Sequence, residues 1–238
     1  MSIADNIARV KEQMAAACLR AGRSRDSVQL MAVSKTHAPE AILEAFAAGI
    51  RLFGENRVQE FAGKRDALHG AGIFGEGGAS VHCIGHLQSN KVRRAVEIFD
   101  GIDTVDSLGL AQGLDQAAMK LGKKLPVLIE IKIGTEESKH GLTPDGPELA
   151  PLLERMADFQ HLELRGLMTV PPFADDPEQV RPYFRQLRVL RADLSRAYPN
   201  LKLDELSMGM SHDFQVAIEE GATVVRIGTA IFGVRSSR

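Results

Sequence analysis

Strand-like and helix-like segments alternate along almost the whole chain, and this alternation limits the fold more than any other feature. Eight short apolar runs have the length and composition of buried strands, at residues 28–34, 51–54, 81–85, 101–105, 125–133, 162–169, 204–209 and 223–228. Helical patterns separate or follow these runs at residues 39–48, 55–68, 89–98, 108–121, 145–157, 177–197 and 213–220. Because parallel strands need a long crossover, usually a helix, the repeat predicts a parallel sheet covered by helices.

Two α/β architectures have this repeat. Eight strands in 238 residues match a (β/α)₈ TIM barrel, which usually takes about 250 residues. A doubly wound open sheet is the alternative, but no Gly-x-Gly-x-x-Gly follows the first strand, which disfavours its dinucleotide-binding form. An extra N-terminal helix is predicted at residues 2–21, where apolar positions recur at helical spacing. No linker divides the chain, so we predict one α/β domain, residues 1–238.

Composition narrows the function classes. Apolar residues make up 44% and charged residues 25% of the chain, and the formal net charge is −2. These values disfavour a nucleic-acid partner and a polybasic membrane surface. The start of the chain does not resemble a signal peptide, and no run is long enough to span a bilayer, so we expect a cytoplasmic protein. Cys18 and Cys83 lack metal-ligand spacing, and Cys18 is expected on the buried face of the first helix.

Lys35 ends the first apolar run and stands at the start of a loop leading to the next helix. A lysine there is held on a rigid element with its amine at the mouth of a core. Partial burial would lower the pKa of that amine, because burial disfavours the charged ammonium. An uncharged amine can attack an aldehyde and form a Schiff base. The alternative is a surface lysine that merely follows a strand.

The ends of the seventh and eighth strands suggest a phosphate site. Ser211 precedes a helical pattern that begins near Asp213, so its hydroxyl and nearby amides would lie at a positively polarised helix start. Gly228 and Thr229 follow the eighth strand, where barrels commonly hold phosphate together with the seventh. The alternatives are structural, since Ser211 or Asp213 could cap the helix and Gly228 could only ease a turn.

Three more polar residues are candidates for the barrel mouth. Arg226 lies inside an apolar strand, and a buried guanidinium must find acceptors. Alternation directs it to the same face as Gly228, unless it forms an ion pair with a carboxylate such as Asp204 or Glu205. Asn56 and His86 could hydrogen-bond a ligand, but Asn56 could instead cap the next helix, and His86 could be a satisfied core histidine.

Six motifs carry a family resemblance: Ala32-Val-Ser-Lys-Thr36, Phe53-Gly-Glu-Asn56, Ile84-Gly-His-Leu-Gln-Ser-Asn-Lys91, Gly166-Leu-Met168, Ser207-Met-Gly-Met-Ser211 and Val225-Arg-Ile-Gly-Thr-Ala-Ile-Phe-Gly233. In this order they closely resemble the pyridoxal phosphate homeostasis protein family, nearly end to end. That family is similar in fold to the barrel domain of alanine racemase, the fold type III barrel. It binds pyridoxal 5′-phosphate (PLP) as a Schiff base.

The resemblance implies a role for each candidate. Lys35 would form the Schiff base, and Arg226 would face the pyridine nitrogen. The remaining residues would bind the phosphate (Ser211, Gly228 and Thr229) or line the cofactor (Asn56, His86 and Met208). The implied function is intracellular PLP, or vitamin B6, homeostasis, with an indirect influence on amino-acid metabolism. PLP-dependent apoenzymes are the implied partners, a monomer is expected, and no metal is expected.

Binding without turnover is the expected mode. A permanent cation beside the ring nitrogen keeps that nitrogen unprotonated, which weakens the ring as an electron sink. Racemization on such a ring needs two bases, and alanine racemase takes the second, a tyrosine, from a separate domain for which this sequence leaves no room. Tyr183 and Tyr198 fall on or just after an outer helix. The alternatives are a minor amino-acid racemase or lyase with a base from residues 137–140, and a phosphosugar enzyme whose Schiff-base lysine needs no cofactor.

Overall fold

All eight strands close into one parallel barrel with the order β1-β2-β3-β4-β5-β6-β7-β8 in the computed structural model, which describes residues 2–134 and 140–233. The strands are β1 Gln29–Val33, β2 Leu52–Glu55, β3 Ser80–Cys83, β4 Gly101–Val105, β5 Leu125–Glu130, β6 Leu162–Met168, β7 Glu205–Ser207 and β8 Val224–Ile227. β1 pairs with both β2 and β8, which closes the ring. The predicted barrel is confirmed, and the open sheet is excluded.

Nine α-helices are assigned within the described residues. They are α1 Ile3–Arg20, α2 Pro39–Ala47, α3 Val58–Gly70, α4 Val92–Ile98, α5 Leu108–Lys120, α6 Leu149–Met156, α7 Arg181–Ala197, α8 Phe214–Glu219 and α9 Thr229–Phe232. Every residue of β2, β4 and β8 is buried, because helices cover the outside of the barrel and side chains fill the inside. This two-sided burial explains why the strands read as apolar runs without alternation.

The extra helix α1 packs on the outside of the barrel against α2, α8 and α9. Ser2 and Asp5 form a capping box that starts it. Ile7, Val10 and Cys18 are buried on the predicted stripe. The side-chain amide of Asn6 donates to the carbonyl of Ile231 at 2.9 Å, which ties α1 to α9.

Several boundaries differ from the sequence prediction by two to four residues. Strand β5 ends at Glu130 rather than residue 133, and α3 begins at Val58 rather than residue 55. The short helix α9 was not predicted, because no element was assigned after the eighth strand, whose predicted end was residue 228. The strand instead ends at Ile227, and Gly228 is the residue before one helical turn.

Candidate functional site

The predicted site residues lie at or after the ends of five neighbouring strands, at the same end of the barrel. In a parallel barrel all carboxyl ends face one way, so residues that follow adjacent strands surround a common mouth. Starting at β7 and passing through β8, β1 and β2 to β3, they are Met208 and Ser211, then Arg226, Gly228 and Thr229, then Lys35, then Asn56, and finally His86.

Lys35 lies in the turn directly after β1 and is half-buried. The predicted junction between strand and loop is therefore confirmed. The loop after Lys35 packs against α9, because the ring of His37 stacks on that of Phe232 with centroids 4.8 Å apart. Two other lysines of the sequence also offer an amine: Lys91 ends a short 3-10 helix, and Lys139 lies outside the described residues.

Ser211 and Gly228 are in direct contact. The Ser211 hydroxyl oxygen accepts hydrogen bonds from the amides of Gly228 and Ala230, at 3.2 and 3.3 Å. Ser211 does not cap α8, because Asp213 is the residue before that helix and its carboxylate accepts from the Met210 amide. The two backbone amides therefore converge on an oxygen acceptor, which is the arrangement that an anion's oxygens require.

Gly228 also lies against the strand that carries Lys35. A Cβ atom at this glycine would lie 3.4 Å from the carbonyl oxygen of Val33, two residues before the lysine. The amine-bearing strand and the amides that surround Ser211 are thus immediate neighbours. Thr229 begins α9, beside these amides.

Arg226 is buried inside the barrel at the level of the strand ends. Its guanidinium donates to the hydroxyl of Ser207 and to the carbonyl of Thr169, both at 2.8 Å. The alternative of an ion pair with Asp204 or Glu205 is wrong, since the acceptors are neutral. Burial lowers the pKa of Arg226, and Asp103, Glu130 and Asp213 oppose that effect through their negative charge. A guanidinium nevertheless remains charged at neutral pH.

Glu130, at the end of β5, is a site residue that the sequence analysis missed. It is 9% exposed, and its Oε2 has no hydrogen-bond partner among the described residues. Burial raises the pKa of Glu130 to about 7, Asp106 adds to the increase, and Arg226 opposes it. The available signal was a single carboxylate in the apolar run Leu125–Glu130. Glu130 can therefore hold or release a proton near neutral pH.

This carboxyl predicts a pH dependence of stability. The folded state binds the Glu130 proton more tightly than the unfolded state, whose pKa is about 4.5. The stabilisation that the protonated Glu130 carboxyl gives the folded state is therefore complete below about pH 4.5, and it is lost as the pH rises through about 7. Glu130→Gln should remove the loss, and the cofactor-free variant should be more stable than the parent by about 3 kcal/mol at pH 8 in urea unfolding.

The exposed Glu76→Gln is the matched control and should leave the profile between pH 5 and 8 unchanged. A parent protein whose profile is equally steep with and without Glu130 would contradict the assignment.

Asn56 follows β2 and is half-buried, but it does not cap α3, because Arg57 is the residue before that helix. Its backbone lies against the β3 loop: a Cβ at Gly85 would meet the Asn56 carbonyl oxygen at 2.2 Å. Only glycine allows these two loops to approach so closely. Met208, after β7, is fully buried.

His86 is exposed rather than a core histidine, so that alternative is wrong. Its Nδ1 lies 3.2 Å from the Asp106 carboxylate, and its ring stacks on His140 with centroids 3.8 Å apart. The ligand atoms of these three residues lie within 4.8 Å of one another, close enough to share one cation. The rings are only 9° from parallel, however, so their in-plane lone pairs do not converge on one point as placed.

A cavity of about 210 Å³ lies at the opposite, amino-terminal end of the strands. It contains His82, which bonds Asp103 at 2.8 Å, and it is also lined by Arg165 and Glu205. Burial opposes the charged imidazole, but Asp103 outweighs it and raises the pKa of His82. Active sites of such barrels lie at the carboxyl ends of the strands. We therefore interpret this cavity as part of the barrel's internal packing.

Comparison with known proteins places this geometry in a family. The family model described as alanine racemase, N-terminal domain, matches residues 2–236. A pyridoxal phosphate homeostasis protein from Aquifex aeolicus is 45% identical over 235 residues, which is 99% of each chain. One of the same name from Escherichia coli is 45% identical over 236 residues, covering 98% of this chain and 97% of the relative.

This chain belongs to the pyridoxal phosphate homeostasis protein family. Among solved structures, PipY of Synechococcus elongatus with PLP bound has a TM-score of 0.84 at 40% identity, covering 98% of this chain and all of that one. An alanine racemase from Clostridium difficile has a TM-score of 0.71 at 16% identity, and the match covers 58% of its length. The second likeness concerns the barrel fold alone.

Membrane insertion by a helix finds no support in the described ranges, 2–134 and 140–233. None of their helices combines the length and apolarity that a membrane span requires.

Proposed function

We propose that this chain binds PLP at the carboxyl ends of the strands, through a Schiff base to Lys35, and serves intracellular PLP homeostasis. The proposal depends on one observation. Two backbone amides that donate to one oxygen atom, a buried guanidinium and a half-buried lysine lie together at the ends of β7, β8 and β1. PLP has a phosphate, a pyridine ring and an aldehyde. Family membership supports the proposal, since relatives are named for PLP homeostasis and PipY was solved with PLP.

The chemistry of the donors matches that cofactor. The amides of Gly228 and Ala230 already satisfy one oxygen acceptor, the Ser211 hydroxyl, and Thr229 adds a second hydroxyl beside them. A phosphate oxygen can occupy the same donor field. Arg226 would then face the ring nitrogen, and Asn56, His86 and Met208 would line the ring.

We infer that the bound cofactor is carried rather than used in turnover. PLP supplies an electron-withdrawing ring, and its strength depends on a proton at the ring nitrogen. Arg226 disfavours that proton, because it stays charged at neutral pH. Tyr183 lies within α7, where its ring is 3.5 Å from the position that a Cβ at Gly134 would take, and Tyr198 lies directly after that helix. Neither follows a strand at the barrel mouth.

Borohydride trapping tests the covalent link. Wild-type protein incubated with PLP, reduced and digested should yield one pyridoxyl-modified peptide, containing Lys35. Modification of Lys64, Lys91 or Lys132 instead would refute the assignment of the lysine. A protein that gains neither modification nor visible absorption would refute PLP binding itself.

An amino-acid racemase or lyase is the second candidate, and Glu130 favours it. A buried carboxyl with a pKa of about 7 beside Arg226 can act as a general base or acid. Incubation of the PLP-loaded protein with alanine or serine in deuterium oxide separates the two functions. A carrier should leave the α-hydrogen in place over hours, whereas deuterium incorporation at enzyme-like rates would favour the racemase or lyase.

We further propose that the chain acts as a cytoplasmic monomer that transfers PLP to apoenzymes. The exposed His86 and half-buried Asn56 line a mouth that an incoming amine can reach, and such an amine can displace Lys35. Gel filtration should give the mass of one chain. An apoenzyme mixed with the loaded protein should regain activity faster than cofactor dissociation alone allows.

A further inference from the structure

A network of charged side chains bonds the residues on either side of Lys35. Its members are not among the proposed cofactor-binding residues. Lys64 of α3 is 8% exposed, although lysine is rarely buried without partners. Its ammonium donates to Glu55 at 2.9 Å, to Glu60 at 2.7 Å and to the carbonyl of Ser34 at 3.1 Å. The Ser34 hydroxyl also donates to Glu55 at 2.8 Å. Both the backbone and the side chain of the residue before Lys35 are therefore fixed.

The residue after Lys35 is held by the same network. Thr36 has φ 67°, and within the described chain it is the one non-glycine residue with a positive φ. For a β-branched residue this conformation costs on the order of 1–3 kcal/mol and persists only where the surroundings impose it. The Thr36 amide donates to the carboxylate of Glu60, which also binds Lys64. The same ion network therefore fixes the backbone both before and after Lys35.

The pKa values of the two carboxyl groups in the network, Glu60 and Glu55, are shifted in opposite directions. Partial burial opposes the ionized form of Glu60, but Lys64 and the Thr36 amide outweigh it and lower the pKa of this carboxyl. Burial raises the pKa of Glu55 despite Lys64 and Ser34, and its second oxygen has no partner among the described residues. Glu60 is therefore the carboxylate that holds both the Lys64 cation and the strained turn.

We propose that Lys64, Glu60 and Glu55 form a positioning network that sets the backbone at Ser34 and Thr36 and so directs the Lys35 amine toward the cofactor aldehyde. This inference rests on the proposed PLP site. A flexible four-carbon side chain reaches a fixed aldehyde only if its own Cα is fixed, and a misplacement of about 1 Å can cost about 100-fold in rate. Lys64 itself is held by two carboxylates and a carbonyl and is not the reactive amine.

Substitutions at Glu60 give the sharpest test, because its side chain is 25% exposed and its loss should leave the barrel folded. Glu60→Leu removes the acceptor for the Thr36 amide, whereas Glu60→Gln retains an oxygen acceptor. We expect Glu60→Leu to slow the appearance of visible absorption after mixing with PLP by about 10- to 100-fold. Glu60→Gln should recover most of that loss, and the surface variant Glu97→Leu should match the wild type.

Three further measurements separate positioning from general stability. In a Lys35→Ala background, Glu60→Leu should change noncovalent PLP affinity less than about twofold, since the network acts through Lys35. In the cofactor-free protein, hydrogen exchange at the Thr36 amide should accelerate in Glu60→Leu and not in Glu97→Leu. Lys64→Met combined with Glu55→Gln, which removes both buried charges, should repeat the slow attachment.

Attachment at the wild-type rate in folded Glu60→Leu would overturn the inference. So would an equal loss of affinity with and without Lys35, because the network would then act directly on the cofactor. If the wild-type protein itself gains no visible absorption with PLP, the proposed cofactor site fails first, and that outcome is distinct from the other two.

Discussion

Lys35→Met is expected to abolish the visible absorption that PLP gives with the wild-type protein and to weaken PLP retention by at least about 100-fold. Methionine keeps an unbranched, apolar side chain in the half-buried turn after β1 but removes the amine. The phosphate donors and Arg226 would remain, so noncovalent binding should persist at lower affinity. A 100-fold loss corresponds to about 2.7 kcal/mol of binding free energy. Equilibrium dialysis with absorption spectroscopy measures both effects.

Lys91→Met and Lys132→Met are the matched controls, because both lysines follow or lie near strand ends and carry the same amine. Both should keep the visible band and bind PLP within about twofold of the wild type, within the usual effect of a substitution outside a site. Persistence of the band in Lys35→Met, with its disappearance in either control, would move the covalent link to another lysine.

Arg226→Met is expected to lower the free energy of unfolding by about 3–5 kcal/mol at neutral pH in the cofactor-free protein. The guanidinium is 4% exposed and counters the charge of Asp103, Glu130 and Asp213. Methionine would remove this positive charge from the surroundings of the three carboxylates and would deprive the Thr169 carbonyl and the Ser207 hydroxyl of their donor. Urea unfolding at pH 7 measures the loss.

The control for this cation is Arg93→Met, because the Arg93 side chain is 91% exposed and pairs with Glu97 only on the surface. It should change stability by less than about 0.5 kcal/mol. Adding Glu130→Gln to Arg226→Met should recover part of the loss, since the two groups interact electrostatically. Wild-type stability in Arg226→Met would show that the barrel does not depend on this cation.

The barrel was predictable because its signal is local and repeated. The stripe on α1 and the apolar run that became β8 report burial within a few residues of sequence. The short helix α9 was not, because Thr229 and the three apolar residues after it are equally compatible with a strand or a helical turn. Its position was needed to see why Ser211 bonds Gly228 rather than capping α8.

The candidate site was predictable where one strand end supplied the signal, as at Lys35 and Arg226. It was not predictable where the partners come from distant segments. Lys64 reads as an ordinary helix lysine, and only the fold brings it to Ser34, 30 residues earlier. Glu130 reads as a single carboxylate within a longer apolar run, and its environment depends on Arg226 across the barrel. Side-chain networks of this kind depend on tertiary structure.

The hydrogen bond from Asn6 to Ile231 connects the first helix to α9. The first helix therefore does more than cover the outside of the barrel. The turn that it holds, α9, begins at Thr229, beside the amides that surround Ser211. Fusion partners or deletions at the beginning of the polypeptide are therefore not remote modifications. They act on a support that reaches the proposed phosphate pocket from outside the barrel wall.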